Sequence, residues 1–426
     1  MSSAIKSINA RQVLDSRGNP TLEVEVVLFS GERGSALVPS GASKGQFEAV
    51  ELRDNNSTAF WGKSVKIAVD NVNKIIAPVL LKQDAVNQYV IDSLLLELDG
   101  TKNKGNLGAN AMLGVSMACA IAASNCYEIP LYRYIGGISA CILPVPMMNI
   151  LNGGVHANNN IEFQEFMIAP VGAESFSHAI QMGAEVFYSL KKLLTDKNMP
   201  VSVGDEGGFA PDLKTNSDAI ELVITAIEKA GYTTDSIKIC LDIASSEFYS
   251  NGKYIIKDNY YTGTEFGEIL AGLVSRYPII SIEDGMAQED WSGWKFLTDK
   301  IGNECQLVGD DLFVTNSNRI KRGVKDGCAN SVLIKLNQIG TVSETLDAIN
   351  YAKNYSYVPI ISHRSGETED TFIADLAVGV NSGQIKAGSL SRSERVAKYN
   401  RLLKIEHELG PAAKYLGYSA FNPKKR

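Results

Sequence analysis

The chain has 426 residues, of which 45% are hydrophobic and 21% charged, and a formal net charge of −7. That length exceeds what one hydrophobic core supports, so two domains are expected, and the composition excludes a disordered or fibrous chain. The acidic balance argues against a nucleic-acid or anionic-membrane partner. An acidic protein that handles an anion must build positive potential locally, from metals, Lys, Arg or backbone N–H groups.

In chain order, the opening MSSAIKSINARQV has no apolar core of the secretory type, which predicts a cytoplasmic protein. Ser16–Pro20 (SRGNP) reads as a turn, and Thr21–Leu28 alternates polar and apolar residues as a half-buried strand does. A second apolar run over Ser35–Val38 leads into Ser40–Gly45 (SGASKG), the composition of a mobile loop. Helical periodicity follows over Val65–Leu81, Val86–Leu98 and Ala109–Cys126. The last is short for a membrane span and rich in small residues, so a buried helix is predicted and no span. Residues 1–135 are therefore expected to form a small α+β domain. The six cysteines, Cys119, Cys126, Cys141, Cys240, Cys305 and Cys328, show no CxxC spacing and read as reduced core residues.

From about Leu143 the pattern changes. Six short apolar runs end in Asp242, Glu283, Asp310, Lys335, His363 and Lys386. After a first gap of about 40 residues they recur roughly every 25, near the length of one βα unit. Helical patterns such as Val342–Lys353 fill the gaps, and two earlier runs, LPVPMMNI and FQEFMIAPV, bring the strand count to eight. The prediction for residues 140–426 is an α/β fold, an eight-stranded βα barrel with its site at the C-terminal strand ends. No convincing helix separates the first two runs, so the barrel should be irregular at its start.

Asp242, Glu283 and Asp310 end three consecutive runs and would converge at one mouth. Like charges that close repel unless a cation lies between them, and hard oxygen donors without thiolates or a His pair point to Mg²⁺ rather than Zn²⁺. Lys335, inside VLIKL, is either a structural partner for one of these acids or a general base whose pKa is lowered by burial, Lys386 and a metal. Glu206 in GDEGG and Glu165 in FQEFM are weaker signals, because glycines around an acid also simply make turns. His156 and His363 lie in Gly/Ser/Asn-rich loops, whereas His178 and His407 sit in helical patterns and read as surface residues. Arg364 and Ser365, followed by a glycine, could grip a phosphate.

Nine segments in order, SGASKG, FQEFMIAP, VGDEGGFAP, LDIASSEF, SIEDG, GDDLFVTN, VLIKLNQIGT, SHRSGETED and QIKAGSLSRSER, resemble the signature segments of the enolase family. The similarity runs from about residue 5 to about residue 415. The resemblance implies that Asp242, Glu283 and Asp310 hold one Mg²⁺ and that Ser43 helps to bind a second. It implies that Lys335 removes the C2 proton of 2-phosphoglycerate and that Glu206, supported by Glu165, protonates the departing C3 hydroxyl. His156, Gln164, His363, Arg364, Ser365 and Lys386 would surround the substrate, phosphoenolpyruvate would be the product, and a homodimer or larger homo-oligomer is implied. Two alternatives are a superfamily racemase or cycloisomerase acting on a non-phosphorylated acid, and a scaffold that has lost catalysis. His363, Arg364, Ser365 and Lys386 suit a substrate with two anionic ends, which disfavours the first; retention of every expected site residue disfavours the second. One departure stands out: Lys44 replaces the Thr common in the family, and it is expected to point into solvent. The C-terminal Asn422–Arg426 reads as a frayed tail.

Overall fold

A computed structural model describes residues 2–41, 45–55, 58–157 and 159–421. Ser43, Lys44 and the tail beyond residue 421 lie outside the described residues. Three antiparallel strands open the chain, β1 (Ile5–Leu14), β2 (Pro20–Leu28) and β3 (Arg33–Leu37), in that order in one sheet. The alternation of β2 is realised as predicted, with Leu22, Val24, Val26 and Leu28 fully buried. The first strand was not legible: Ile5 and Ile8 are its buried apolar residues, a spacing that does not repeat with period two. It forms because β2 offers it a complete antiparallel partner.

Helix α2 (Ala109–Cys126) covers this sheet, and helix α1 (Gln88–Asp99) packs against α2. Helix α2 is long and apolar enough to cross a membrane, yet nearly all of it is buried in the protein. Its small residues let a strand approach its backbone. A Cβ on Gly34 would lie 2.1 Å from the Ala118 carbonyl oxygen. The predicted helix over Val65–Leu81 is observed as a helical run from Lys66 to Leu80, with a π-helical segment over Asn71–Ile76.

Eight strands then close into a barrel: β4 (Val145–Asn152), β5 (Glu165–Ala169), β6 (Lys238–Asp242), β7 (Ile279–Glu283), β8 (Gln306–Gly309), β9 (Ser331–Ile334), β10 (Val358–Ser362) and β11 (Gln384–Lys386). The predicted irregularity is at its start. Strand β5 runs antiparallel to both β4 and β6, and every other neighbouring pair is parallel. A parallel pair needs a helical crossover, and among the described residues only the 3-10 turn Gly154–His156 lies between β4 and β5, so the chain returns antiparallel. The barrel is filled by Val145, Met147, Met167, Cys240, Ile280, Val308, Leu333 and Ile360, and Ala420 and Phe421 close its N-terminal end. All six cysteines are unpaired, and five are buried.

The two domains are fastened by a buried acid. Asp92 of α1 accepts hydrogen bonds from Ser116 Oγ (2.6 Å) and Gln88 Nε2 (3.1 Å) of its own domain. From the barrel, the Ser343 amide (2.9 Å) and hydroxyl (2.6 Å) donate to its other oxygen. A carboxylate with four donors is the condition under which such a group tolerates burial.

Candidate active site

Strand register sets the height of the acids. Glu165 pairs with Asp242, and Asp242 with Glu283, so three carboxylates stand side by side at one end of β5, β6 and β7. Asp310, Lys335 and His363 each follow the last residue of their strand, and Lys386 ends β11, pairing with Ser362. The residues that sequence reasoning selected on these strands therefore meet at one mouth. His156, Gln164, Glu165, Glu206, Asp242, Asp310, Lys335, His363, Arg364, Ser365 and Lys386 all line one cavity of about 330 Å³. Glu283 lies beneath it, fully screened from solvent.

Glu206 reaches this mouth from an excursion after α3 (Phe176–Asp196) rather than from a strand. Its loop closes on itself through the Gly204 amide and Gly208 carbonyl (2.9 Å) and is tied to the barrel by the Ser389 amide donating to the Glu206 carbonyl (2.8 Å). The glycines are required here. Gly207 has φ +87°, and a Cβ on it would lie 2.5 Å from the Ser391 carbonyl oxygen.

The charges are mutually paired. Lys386 Nζ lies 3.0 Å from Asp242, 2.8 Å from Glu283 and 3.3 Å from Glu165. Burial alone would lower this ammonium, but those three acids hold it well above its usual range. Lys335 Nζ lies 2.5 Å from Asp310 Oδ2. Here too burial favours the neutral amine, but Asp310 outweighs it and raises the lysine, contrary to the lowered pKa expected from VLIKL and Lys386. Arg364 is held by Glu48 at 3.0 Å and by Asn337 at 2.9 Å.

Glu165 and Glu206 divide one proton unequally. Burial and the Glu206 charge push Glu165 up to about 7, against Lys386 and His156. Burial also favours protonated Glu206, but His363, His156 and Arg395 together hold it well below the usual carboxylate range. The Asn149 amide donates to its Oε2 (3.2 Å), and His363 Nε2 lies 3.4 Å from the same oxygen. Of the two carboxyls, burial and the neighbouring charges therefore favour Glu165 as the one that takes a proton. His156 Nδ1 stands 3.4 Å from Glu165 and 3.9 Å from Glu206, contacts too long or poorly aligned to be hydrogen bonds.

The donor set suits a hard divalent cation. Glu283, Asp284 and Asp311 are all raised, first by burial and then by neighbouring carboxylates, Asp311 to about 7. Such crowding is relieved by a bound cation. Two groups of described residues bring three ligand atoms within 4.8 Å of one another: Asp284, Asp310 and Asp311, and His156, Glu165 and Glu206. Of the expected ligands, Asp310 belongs to the first group, while Asp242 and Glu283 close on Lys386. A cation held by Asp242, Glu283 and Asp310 would have to displace that ammonium. Gln164 Oε1 is buried without a hydrogen-bond partner, so the wall retains acceptor capacity.

Several contributors were not singled out from sequence. Gln338 Nε2 donates to Asp310 Oδ1 (2.9 Å), and Asp284 accepts the amides of Asp310 and Asp311 (both 2.9 Å). Asn149 and Arg395 meet Glu206 and His363 from the opposite side. Their signal is adjacency: Gln338 lies in LNQIG, Asp284 in SIEDG, Asp311 in GDDLF and Arg395 in SLSRSER.

The mouth therefore holds two lysines, an arginine, two histidines and a ring of acids on the C-terminal ends of a βα barrel, under a smaller α+β domain. Residues 5–135 match the family described as enolase, N-terminal domain, and residues 140–424 match enolase, C-terminal TIM barrel domain. Those domains imply a lyase of the hydratase kind, and together they cover nearly all of this sequence: the chain belongs to the enolase family.

Proposed function

We propose that the chain catalyses the reversible, Mg²⁺-dependent dehydration of 2-phosphoglycerate to phosphoenolpyruvate, as a cytoplasmic homo-oligomer. The observation that carries this reading is one cavity with Lys335 and the Glu165–Glu206 pair both in its lining. β-Elimination needs a base for a carbon acid and an acid for the leaving hydroxide. Lys335 is the base and the Glu165–Glu206 pair, with its one proton, is the acid. Lys386, Arg364, Ser365, His156, Gln164 and His363 orient the two anionic ends of the substrate. Asp242, Glu283 and Asp310, with Ser43, are the residues that would hold Mg²⁺, whose contribution is to stabilise the second negative charge that develops on the substrate carboxylate. Lys335 is an ammonium while Asp310 faces it, so it accepts a proton only after that carboxylate turns to another partner.

The test combines product formation with isotope exchange. The protein should raise ultraviolet absorbance when given 2-phosphoglycerate and Mg²⁺, and chelation with EDTA should abolish the rise. Glu206→Gln should block dehydration yet still exchange the C2 proton with deuterium, whereas Lys335→Ala should do neither. Exchange at the wild-type rate in Lys335→Ala would show that another group is the base.

A further inference from the structure

A buried guanidinium behind the mouth takes no part in the elimination proposed above. Arg395 lies in the first turn of α4 (Ser393–Leu409) and is completely buried. One Nη atom lies 2.6 Å from His363 Nδ1 and 2.6 Å from the Arg364 carbonyl oxygen. The other donates to the carbonyl oxygens of Ser365 (2.6 Å) and Asp205 (3.1 Å). One side chain thus grips the loop of His363–Ser365 and the residue before Glu206.

We infer that Arg395 is a positioning residue that fixes His363 as the neutral tautomer protonated on Nε2, so that this N–H is aimed at Glu206. A guanidinium carries only donors, so the imidazole nitrogen it meets must be an acceptor. His363 Nδ1 therefore bears no proton, and the ring hydrogen sits on Nε2, 3.4 Å from Glu206 Oε2. The inference rests on the proposed elimination only for what that contact is worth to turnover.

A second proton on His363 would turn Nδ1–H against Arg395. Four charged groups face or influence the ring. Glu206 from its glycine loop favours protonation; Arg395 of α4 and Lys386 of β11 oppose it; Glu367, on the ring's own loop, is engaged by Lys398 (2.7 Å). Burial is the largest influence, and with the two cations it brings His363 down to about 4. His363 is accordingly neutral, with its Nε2–H facing Glu206, rather than a proton carrier. Arg395 also buttresses the carbonyls of Arg364 and Ser365, so the groups assigned to the phosphate and to the acid share one support.

Histidine ¹⁵N NMR of the intact protein tests this directly, because the sequence contains only four histidines. His363→Gln assigns the resonance. In the wild-type protein, without substrate, His363 should show a protonated Nε2 and an unprotonated Nδ1 from pH 5 to pH 8. A protonated Nδ1, or titration near the ordinary histidine value, overturns the inference whatever the protein catalyses. Arg395→Met should let His363 take a second proton at higher pH, move the acid limb of kcat upward by one pH unit or more, and lower kcat at pH 7 roughly ten-fold or more. Arg395→Lys retains the charge but not the fork, and should restore the position of the acid limb but only part of kcat. An unmoved acid limb in Arg395→Lys and Arg395→Met alike also overturns it. Should Arg395→Met not fold, the wild-type spectrum and Arg395→Lys decide. Failure of the wild-type protein to convert 2-phosphoglycerate would instead remove the proposed function and leave the tautomer assignment standing.

Discussion

Removing the Phe421 ring should weaken the barrel without touching its chemistry. The side chain is 3% exposed and closes the N-terminal end of the barrel interior, in one cluster with Val145, Met167, Ile280, Val308 and Leu333. Its segment is fixed by Gln384 Nε2 donating to the Ala420 carbonyl oxygen (2.9 Å), and Gln384 is itself paired reciprocally with Gln306 (2.8 and 2.9 Å). These polar bonds survive Phe421→Ala, so the closing segment stays in place and the lost ring leaves a cavity that the rigid barrel cannot collapse. Phe→Ala at such sites costs about 3–5 kcal/mol. With a urea m-value near 3 kcal/mol/M, the unfolding midpoint should fall by about 1 M or more. Urea titration followed by fluorescence of the buried Trp291 and Trp294 measures this, alongside kcat in the absence of urea. The active mouth is at the other end of the strands, so kcat should change less than two-fold. An unchanged midpoint would refute the closing role of Phe421, and a kcat that falls with stability would refute the separation of the two barrel ends.

Two other predictions concern groups between the domains and at the mouth. Asp370 accepts the amides of Leu37 (3.0 Å) and Phe372 (2.7 Å), and burial pushes its carboxyl up to about 6 although it keeps some solvent contact. A folded value above the unfolded one, about 3.9, means that the stabilisation is complete below about pH 4 and lost as pH rises through 6. Asp370→Asn should therefore flatten the decline in Tm between about pH 4 and pH 6, and an identical slope in both proteins would count against this account. Glu48 occupies the Arg364 guanidinium, so Glu48→Gln should lower KM for 2-phosphoglycerate and Ki for inorganic phosphate by a few-fold; increases in both would mean that Glu48 positions Arg364 rather than competing for it.

The legible parts of the fold were those with local periodicity. Thr21–Leu28 alternates, Ala109–Cys126 is continuously small and apolar, and the strands ending in Asp242, Glu283 and Asp310 recur at βα spacing. Even the irregular start followed from a missing helix between two runs. Strand β1 was hidden because its order comes from a partner, not from its own pattern. The site residues were legible as positions, because strand ends in a barrel converge whatever their side chains do. Their ionisation was not. The neighbours of Lys335 in sequence are apolar, but the group that sets its charge is Asp310 from the adjacent strand. Glu206 looks like the acid in GDEGG, yet Asn149, His363 and Arg395 arrive from three other segments to keep it ionised.

That contrast explains how an acidic protein presents a mouth to an anion. Lys335 faces Asp310, Lys386 faces Asp242 and Glu283, and Arg364 faces Glu48, so each of these cations already has a carboxylate partner. Unpaired, these buried cations would each lose hydration without compensation, and the fold would have to absorb several kcal/mol per ion. Pairing removes that cost but makes anion binding an exchange. A phosphate or carboxylate entering the cavity gains a cation only by releasing an acid, and the affinity it shows is the difference between two pairs of similar kind. Released acids then need new partners, either a proton or a cation. Glu165, already near neutrality, can take the proton, and Asp310, Asp242 and Glu283, as hard oxygen donors, favour the cation. Freed of Asp310, Lys335 loses the largest influence that raises it, and Glu283 alone is left against burial, Arg364 and Lys386. Under the proposed function, ligand entry would move this lysine from structural partner towards base; of its two readings from sequence, the structure shows the first, the pairing with Asp310.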